Sequence, residues 1–217
     1  MVRRTGTLMA VFLLLTSIGL AQDNRFDVSL GGAAVLSKQS TGNGTVLTPT
    51  NSVAVLITAR YRFSPRNSIE VNYSHTADSQ VYFASPLTYR IHNTIGEYSG
   101  AYVFSFLQSE NIEPFLFAGA AAVIFYPNYN ASSINDVQTY LPSSQQTKPA
   151  FLYGAGFDYR IFSSLPVIRR STLSKHLALR LQYRGLVYKA PDFNVQNLFT
   201  GASGHLAEPS AGLVVKF

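Results

Sequence analysis

Apolar and polar side chains alternate along most of the chain after residue 25. From Val53 to Phe63 every second residue is apolar, and the positions between them include Arg60 and Arg62. Side chains of a β-strand point alternately to its two faces, so this segment predicts a strand with one apolar face and one polar face. The same alternation predicts five further strands, at about 25–38, 68–77, 151–162, 175–188 and 206–217.

Two less regular segments bring the number of predicted strands to eight. In 90–106, Tyr98 lies on an aromatic face and Glu97 on the other, but the polarity is irregular before Gly96. That irregularity indicates either a bulge or a strand end beyond a membrane. The segment 112–126 is apolar on both faces, which leaves its orientation open. Each of the eight segments is long enough for a tilted strand to cross a bilayer.

The predicted connections alternate between long and short. The first, third, fifth and seventh connections are long, at 39–51, 78–89, 127–150 and 189–205. The second and fourth are tight turns, at 64–67 and 108–111. An antiparallel barrel with both termini on one side requires this alternation, with short periplasmic turns and long outer loops. The sixth, 163–174, is longer than such a turn, and a misassigned strand near Leu165 would explain it.

The shortage of charge favours a membrane-facing exterior. Charged residues make up 13% of the 217 residues, about half the proportion in an ordinary soluble domain. A soluble barrel of the lipocalin kind would show the same periodicity, with its apolar face inside. Aromatic pairs near the strand ends instead suit two interfacial girdles, at Tyr61/Phe63, Phe104/Phe106, Phe115/Phe117, Phe125/Tyr126, Phe151/Tyr153, Tyr159/Phe162 and Tyr183/Tyr188.

The first 21 residues read as a cleaved secretory signal. Arg3 and Arg4 begin it, an apolar run from Leu8 to Leu15 follows, and small residues end it at Ala21. The mature chain, 22–217, is then a single barrel domain. It contains no cysteine, which excludes disulfides and thiolate metal sites. We expect export through the periplasm and no nucleic-acid partner.

Three segments resemble the small OmpA/OmpX-type eight-stranded outer-membrane β-barrels. They are Phe-Leu-Tyr-Gly-Ala-Gly-Phe-Asp-Tyr-Arg at 151–160, Leu-Arg-Leu-Gln-Tyr-Arg at 179–184, and the Gly/Ala-rich stretch 114–122. The resemblance implies an all-β, antiparallel up-and-down transmembrane barrel in the bacterial outer membrane. It also implies that a C-terminal assembly signal, Leu213, Val215 and Phe217, is recognised by the barrel-assembly machinery.

The polar parity of the strands predicts a charge network in the lumen. The interior of an eight-stranded barrel is just wide enough for its own side chains, and buried charges there must be paired. The predicted network consists of Arg60, Arg62, Glu70, Glu97, Asp158, Arg160, Arg180, Arg184, Glu208 and Lys216. We expect this network to be a polar plug; the alternative is a gated ion path.

The sequence predicts no enzyme, cofactor or metal site. Ser203 and His205, with Asp192, have the residue types of a lipid A-modifying enzyme but not the nucleophile-elbow spacing. His75 and His92 lack the spaced carboxylates of a metal site. The leading expectation is a monomeric barrel with a structural or surface-interaction role, in contact with outer-membrane lipids and an unidentified extracellular ligand. The alternative is a porin-like channel for small solutes or hydrophobic molecules.

Overall fold

The fold is built almost entirely of β-strands. A computed structural model describes residues 25–107, 109, 111–160 and 176–217. Its strands are β1 (Phe26–Ser37), β2 (Ser40–Gly42), β3 (Thr45–Pro49), β4 (Ser52–Arg62), β5 (Asn67–Ala84), β6 (Leu87–Ser105), β7 (Ile112–Pro127), β8 (Ser133–Ile134), β9 (Val137–Gln138), β10 (Gln146–Tyr159), β11 (Leu177–Lys189) and β12 (Ser203–Lys216). Single 3-10 turns lie at Tyr129–Ala131 and Gln196–Leu198.

The eight longest strands close into an antiparallel barrel. Around the ring their order is β1, β4, β5, β6, β7, β10, β11 and β12, and β12 pairs again with β1. The stagger of the barrel is found by stepping from each residue to its partner on the next strand, once around the ring. Starting from Asp27 of β1, these steps return to β1 at Ser37, so the stagger is ten residues. The partners on the way are Arg60, Glu70, Ala101, Gly119, Leu152, Leu186 and Leu206. With ordinary strand rise and spacing, a stagger of ten gives a strand tilt of about 40°.

The two faces of the strands separate as the alternation predicts. Outward-facing Leu30 and Val53 are 61% and 77% exposed, whereas inward-facing Arg60 and Glu70 are buried. Exposed aliphatic and aromatic side chains continue around the barrel on this outward parity. The predicted antiparallel up-and-down barrel is therefore confirmed, and its apolar exterior is the surface that contacts lipid. No helix in the described part of the chain is long and apolar enough to span a membrane.

We call the end of the barrel with Arg25 and Phe217 the inner end and the opposite end the outer end. At the inner end, Phe26 and Phe217 form a reciprocal pair of backbone hydrogen bonds. A tight turn at 63–66 also lies there, between β4 and β5. The connections from β1 to β4, from β7 to β10 and from β11 to β12 leave from the outer end.

The structure fixes the orientation of β7, which the sequence leaves open. Phe115 and Phe117 point into the lumen, opposite Gly156 and Gly154 of β10. A Cβ atom on Gly154 would lie 2.3 Å from the Phe117 ring, and one on Gly156 would lie 2.8 Å from the Phe115 ring. The two glycines of β10 therefore make room for these rings.

Four aromatic residues assigned to the girdles are in fact inside the barrel. They are Phe115, Phe117, Phe125 and Tyr188, all buried. The assignment of these four is wrong because β7 is apolar on both faces and because the inward face of β11 becomes apolar toward the outer end.

The predicted loop at 78–89 is wrong. β5 and β6 instead run together to a turn at Ser85 and Pro86, joined by a cis peptide bond. Their register is continuous from Asn67 to Ala84, so β6 contains no bulge near Gly96. The polarity in this region is irregular because Tyr82 and Ile91 point inward, so the usual contrast between an apolar outer face and a polar inner face is lost.

Two other long connections also contain β-structure. In the first, β2 and β3 form a hairpin whose turn residues Asn43 and Gly44 both have positive φ. Asn-Gly is a strong hairpin signal, so this hairpin could have been predicted from the sequence. In the fifth, β8 and β9 form a short hairpin on β6, and β10 begins at Gln146 rather than at 151. The predicted signal, 1–21, and the sixth connection, 163–174, lie outside the described residues.

The lipid-facing belt gives a direct test of the fold's environment. Leu30 faces outward near the middle of β1, so we expect Leu30→Arg to destabilise the barrel in a bilayer by about 2–4 kcal/mol, the cost of a basic residue at the midplane. Equilibrium unfolding by urea in lipid vesicles measures this, with Leu30→Ala as the control for lost apolar area. A cost below about 0.5 kcal/mol, typical of a water-facing surface, would contradict a lipid-facing position.

Candidate functional site in the barrel lumen

The inner half of the lumen contains a connected group of ion pairs. Arg60 of β4 and Glu70 of β5 face each other directly across the strand pair, and their Nη2 and Oε2 atoms are 2.9 Å apart. Both side chains are buried. The inward parity of two neighbouring strands thus places opposite charges in contact where no bulk water is available to solvate them.

Arg180 and Lys216 extend this group across the lumen. Arg180 Nε lies 2.7 Å from Asp158 Oδ1, and its Nη2 lies 3.1 Å from Asp27 Oδ1. Lys216 Nζ lies 3.2 Å from Asp158 Oδ2 and 3.0 Å from Glu113 Oε2. Each cation therefore bridges two carboxylates from different strands.

The ring of Phe115 lies within this group. The Arg60 guanidinium carbon is 4.2 Å from the ring centroid, and that of Arg180 is 5.4 Å from it. A guanidinium within about 6 Å of an aromatic ring is attracted to the negative face of the ring. Phe115 therefore interacts favourably with both guanidinium groups.

A second, smaller group lies nearer the outer end. Arg184 of β11 pairs with Glu208 of β12 at 2.9 Å and with Glu97 of β6. The same guanidinium donates to Ser99 Oγ at 3.3 Å. Since β6 lies on the opposite side of the ring from β12, Arg184 spans the lumen and links its two walls.

The structure brings together nine of the ten residues predicted for the lumen network. Arg62 is among them through its ion pair with Glu113. Arg160 lines a cavity of about 440 Å³ at the inner mouth, together with Arg25, Arg62 and Glu113.

Two residues outside the predicted set, Asp27 and Glu113, also belong to these ion pairs. Asp27 has the inward parity of β1, a signal that was present in the sequence. Glu113 could not be assigned because the orientation of its strand was open. With these two, six of the chain's 11 acidic residues lie in lumenal ion pairs.

Above Arg184 the lumen contains an apolar cluster beside the buried polar side chains of Asp78, Gln80 and Asn93, and loop residues cover it. Leu141, Phe193 and Leu198, all from connections between barrel strands, are buried in the same cluster as Tyr82 and Phe125. The Phe193 ring lies edge-on to the rings of both Tyr82 and Phe125, with centroids 6.4 and 6.3 Å apart. We call the outer cap the connections 128–145 and 190–202, which carry these three residues, together with the strand ends that they cover.

Polar contacts hold the outer cap in place. The Tyr82 hydroxyl donates to the Pro191 carbonyl at 2.7 Å. Gln146 Nε2 donates to Asp192 Oδ1 at 2.5 Å, and Gln146 Oε1 accepts from the Asp192 amide at 3.0 Å. Partial burial opposes ionisation of Asp192, but hydrogen bonds from Gln146 and from the Asn194 amide, together with the positive charge of Lys148, lower the pKa of its carboxyl group.

The structure does not assemble the candidate catalytic residues. His205 Nε2 lies 3.0 Å from the Tyr153 hydroxyl, whereas Asp192 bonds Gln146 and Asn194 in the outer cap. His92 Nδ1 lies 2.7 Å from Ser79 Oγ, and His75 Nδ1 lies 3.4 Å from the Tyr73 hydroxyl. Among the described residues, no three histidine or acidic side chains form a group suited to a metal ion.

Comparisons with known proteins identify the fold. No family model and no curated protein sequence matches this chain. The crystal structure of Neisserial surface protein A (NspA) aligns with a TM-score of 0.53 and 18% identity, over 88% of this chain and 97% of that one. The outer membrane protein OprG from Pseudomonas aeruginosa aligns with a TM-score of 0.57 and 12% identity, over 88% and 95%. The chain shares the barrel fold of these proteins.

Substitution of Arg184 tests how much the lumenal ion pairs contribute to the free energy of unfolding. We expect Arg184→Leu to lower the free energy of unfolding by about 3–5 kcal/mol, because Glu97 and Glu208 would remain buried without their partner. Denaturant unfolding in detergent micelles measures this loss.

The matched control adds Glu97→Gln and Glu208→Gln to the same variant. Removing the stranded charges should restore most of the lost stability. If the triple variant is no more stable than Arg184→Leu alone, the loss comes from packing rather than from unpaired charge.

Proposed function

We propose that this chain is a bacterial outer-membrane β-barrel with a closed lumen, whose role is structural or is carried by the surface of its outer cap. The observation that supports this most strongly is the double closure of the lumen. Ion-paired side chains fill the inner half, and the outer half contains an apolar cluster with a few buried polar side chains, covered by loop residues. A solute that moved along the barrel axis would have to pass both the ion-paired side chains and the apolar cluster.

The free space inside the barrel supports a plug rather than a channel. A lumenal cavity beside Arg180 and Gln182, also lined by Ser29, Leu56 and Ser210, has a volume of about 10 Å³. That volume is at the lower limit needed to hold one water molecule. A porin-like path would require the ion pairs around Arg180 and Arg184 to open.

The outer cap offers a surface for interaction. Val137, Tyr140 and Phe199 are 68%, 71% and 53% exposed, and all three lie beyond the outer ends of the barrel strands. Exposed apolar side chains on a well-packed support are typical of protein interaction sites. This arrangement favours a binding role for the outer cap over a purely structural one.

The pairing of the chain end supports insertion as an outer-membrane barrel. Leu213 and Val215 face outward on β12, and Phe217 packs against Phe26 with ring centroids 6.4 Å apart. We propose that this outward parity is the surface that the barrel-assembly machinery recognises. The separation of Asp192 from His205 supports a non-enzymatic role.

Planar-bilayer recording tests the closed lumen. We expect the purified wild-type barrel to show no stable conductance, because ion pairs and the apolar cluster block the lumen in series. A variant with Arg60, Arg180 and Arg184 replaced by serine, together with Phe193→Ser, removes bulk from both layers and should conduct. Stable, large conductance from the wild type would overturn the proposal in favour of a channel.

A deletion strain separates the two proposed roles. It is complemented either with the wild type or with a cap variant carrying Val137→Ser, Tyr140→Ser and Phe199→Ser. If the outer cap mediates interactions, both chains should restore exclusion of a hydrophobic dye, but only the wild type should restore attachment between cells or to surfaces. Equal attachment with both chains would contradict a role for the exposed apolar residues of the cap.

A further inference from the structure

The outward faces of the barrel strands carry no carboxylate anywhere in the described residues. Their fully charged residues are Arg90 of β6 and Lys189 of β11, both near the outer end, and Lys38 follows β1 directly at the same end. The apolar outer surface of the barrel, which we call the belt, therefore carries no charged side chain along most of the strands. At its outer edge its charged side chains are all basic. Neither Lys38 nor Lys189 forms an ion pair with a described carboxylate.

Two of these cations lie on either side of β12. Lys38 donates its backbone N–H to the His205 carbonyl at 3.0 Å, which places it beside β12 on the β1 side. Lys189 lies directly opposite Ser203 on the β11 side. His205 and Ser203 themselves share the outward parity of β12, so all four residues belong to one patch, which we call the rim patch.

A cavity of about 590 Å³ opens at the rim patch. Its lining includes Lys38, Ser203 and His205, together with Val187, Gln39 and Thr41. Lys189 is not part of the lining but is paired with Ser203, which is. An ammonium group, hydroxyl groups and an imidazole are groups that can donate hydrogen bonds to an anion. The segment 201–205, which the catalytic hypothesis leaves without a role, supplies two of these groups.

The rim patch lies at the depth of the lipid headgroups. The Tyr153 hydroxyl contacts His205 Nε2 at 3.0 Å, and outward-facing tyrosines mark the membrane interface in barrels of this kind. On the inner side of the patch, Leu36, Val187 and Phe151 are outward-facing apolar residues. A molecule in the cavity would therefore have its polar part against Lys38, Ser203 and His205, next to Lys189, and its apolar chains against the outward apolar residues.

We propose that the rim patch binds the phosphate-bearing headgroup of an anionic lipid in the outer leaflet. Charge complementarity identifies this occupant, because the patch is basic and carries no opposing acid from β1, β11 or β12. The apolar outer surface of the barrel begins directly beside the patch, so that the occupant is a lipid with apolar chains rather than a soluble anion. The proposal stands independently of the roles assigned to the lumen and the outer cap.

Lipid retention in nanodiscs tests this site. The folded barrel is reconstituted in phosphatidylcholine nanodiscs that contain either diphosphorylated lipid A or the same lipid without its phosphates, and bound lipid is counted by native mass spectrometry. We expect the wild type to retain the phosphorylated form alone. Lys38→Gln with Lys189→Gln should weaken retention about 25-fold, since each basic residue near an anionic surface contributes about fivefold.

Arg90→Gln is the matched control, because it removes the same charge from the outer edge at β6, on the opposite side of the ring from β12. It should leave retention unchanged, and heat-modifiable migration on gels reports that each variant is folded. Equal retention of the dephosphorylated lipid, wild-type retention by the lysine variant, or an equal loss with Arg90→Gln would overturn the proposal. Displacement of the lipid by excess inorganic phosphate would show a soluble-anion site instead.

Discussion

A closed ring of eight strands with a stagger of ten encloses a space that side chains alone can fill. Every inward-facing residue must therefore find a partner inside, and the partners come from strands that are distant in sequence. Arg184 and Glu97 show the consequence, since an arginine of β11 pairs with a glutamate across the barrel. The packing of Phe115 between Arg60 and Arg180 follows from the same lack of space.

The closed ring also accounts for the unusual composition of the chain. Its strands present an apolar face to lipid, so that a large part of the surface needs no charge, and six of the 11 acidic residues lie in ion pairs in the lumen. In the described barrel strands the outward charges are cations and lie near the outer edge of the belt. Charge there is thus distributed by depth: mostly paired inside, absent along the belt and basic at the rim.

Alternation was informative wherever the two faces of a strand differed in polarity. The phase of β4, with Val53 outward and Arg60 inward, could be read from the sequence alone. The phase of β7 could not, because Phe115 inside and Leu116 outside are both apolar. The outer ends of β5 and β6 were mistaken for a loop for the same reason, since inward Tyr82 and Ile91 made the two faces alike.

The sequence by itself determined the number of barrel strands, most of their phases and most of the polar residues that point into the lumen, because each of these is a local property with a period of two residues. The tertiary structure alone decided which charges meet, how Leu141, Phe193 and Leu198 cover the lumen, and how Lys38 and Lys189 come to flank β12. These relations depend on the stagger of the closed ring and on loops that fold back onto it. Both arise from contacts between segments far apart in the chain, which local alternation does not encode.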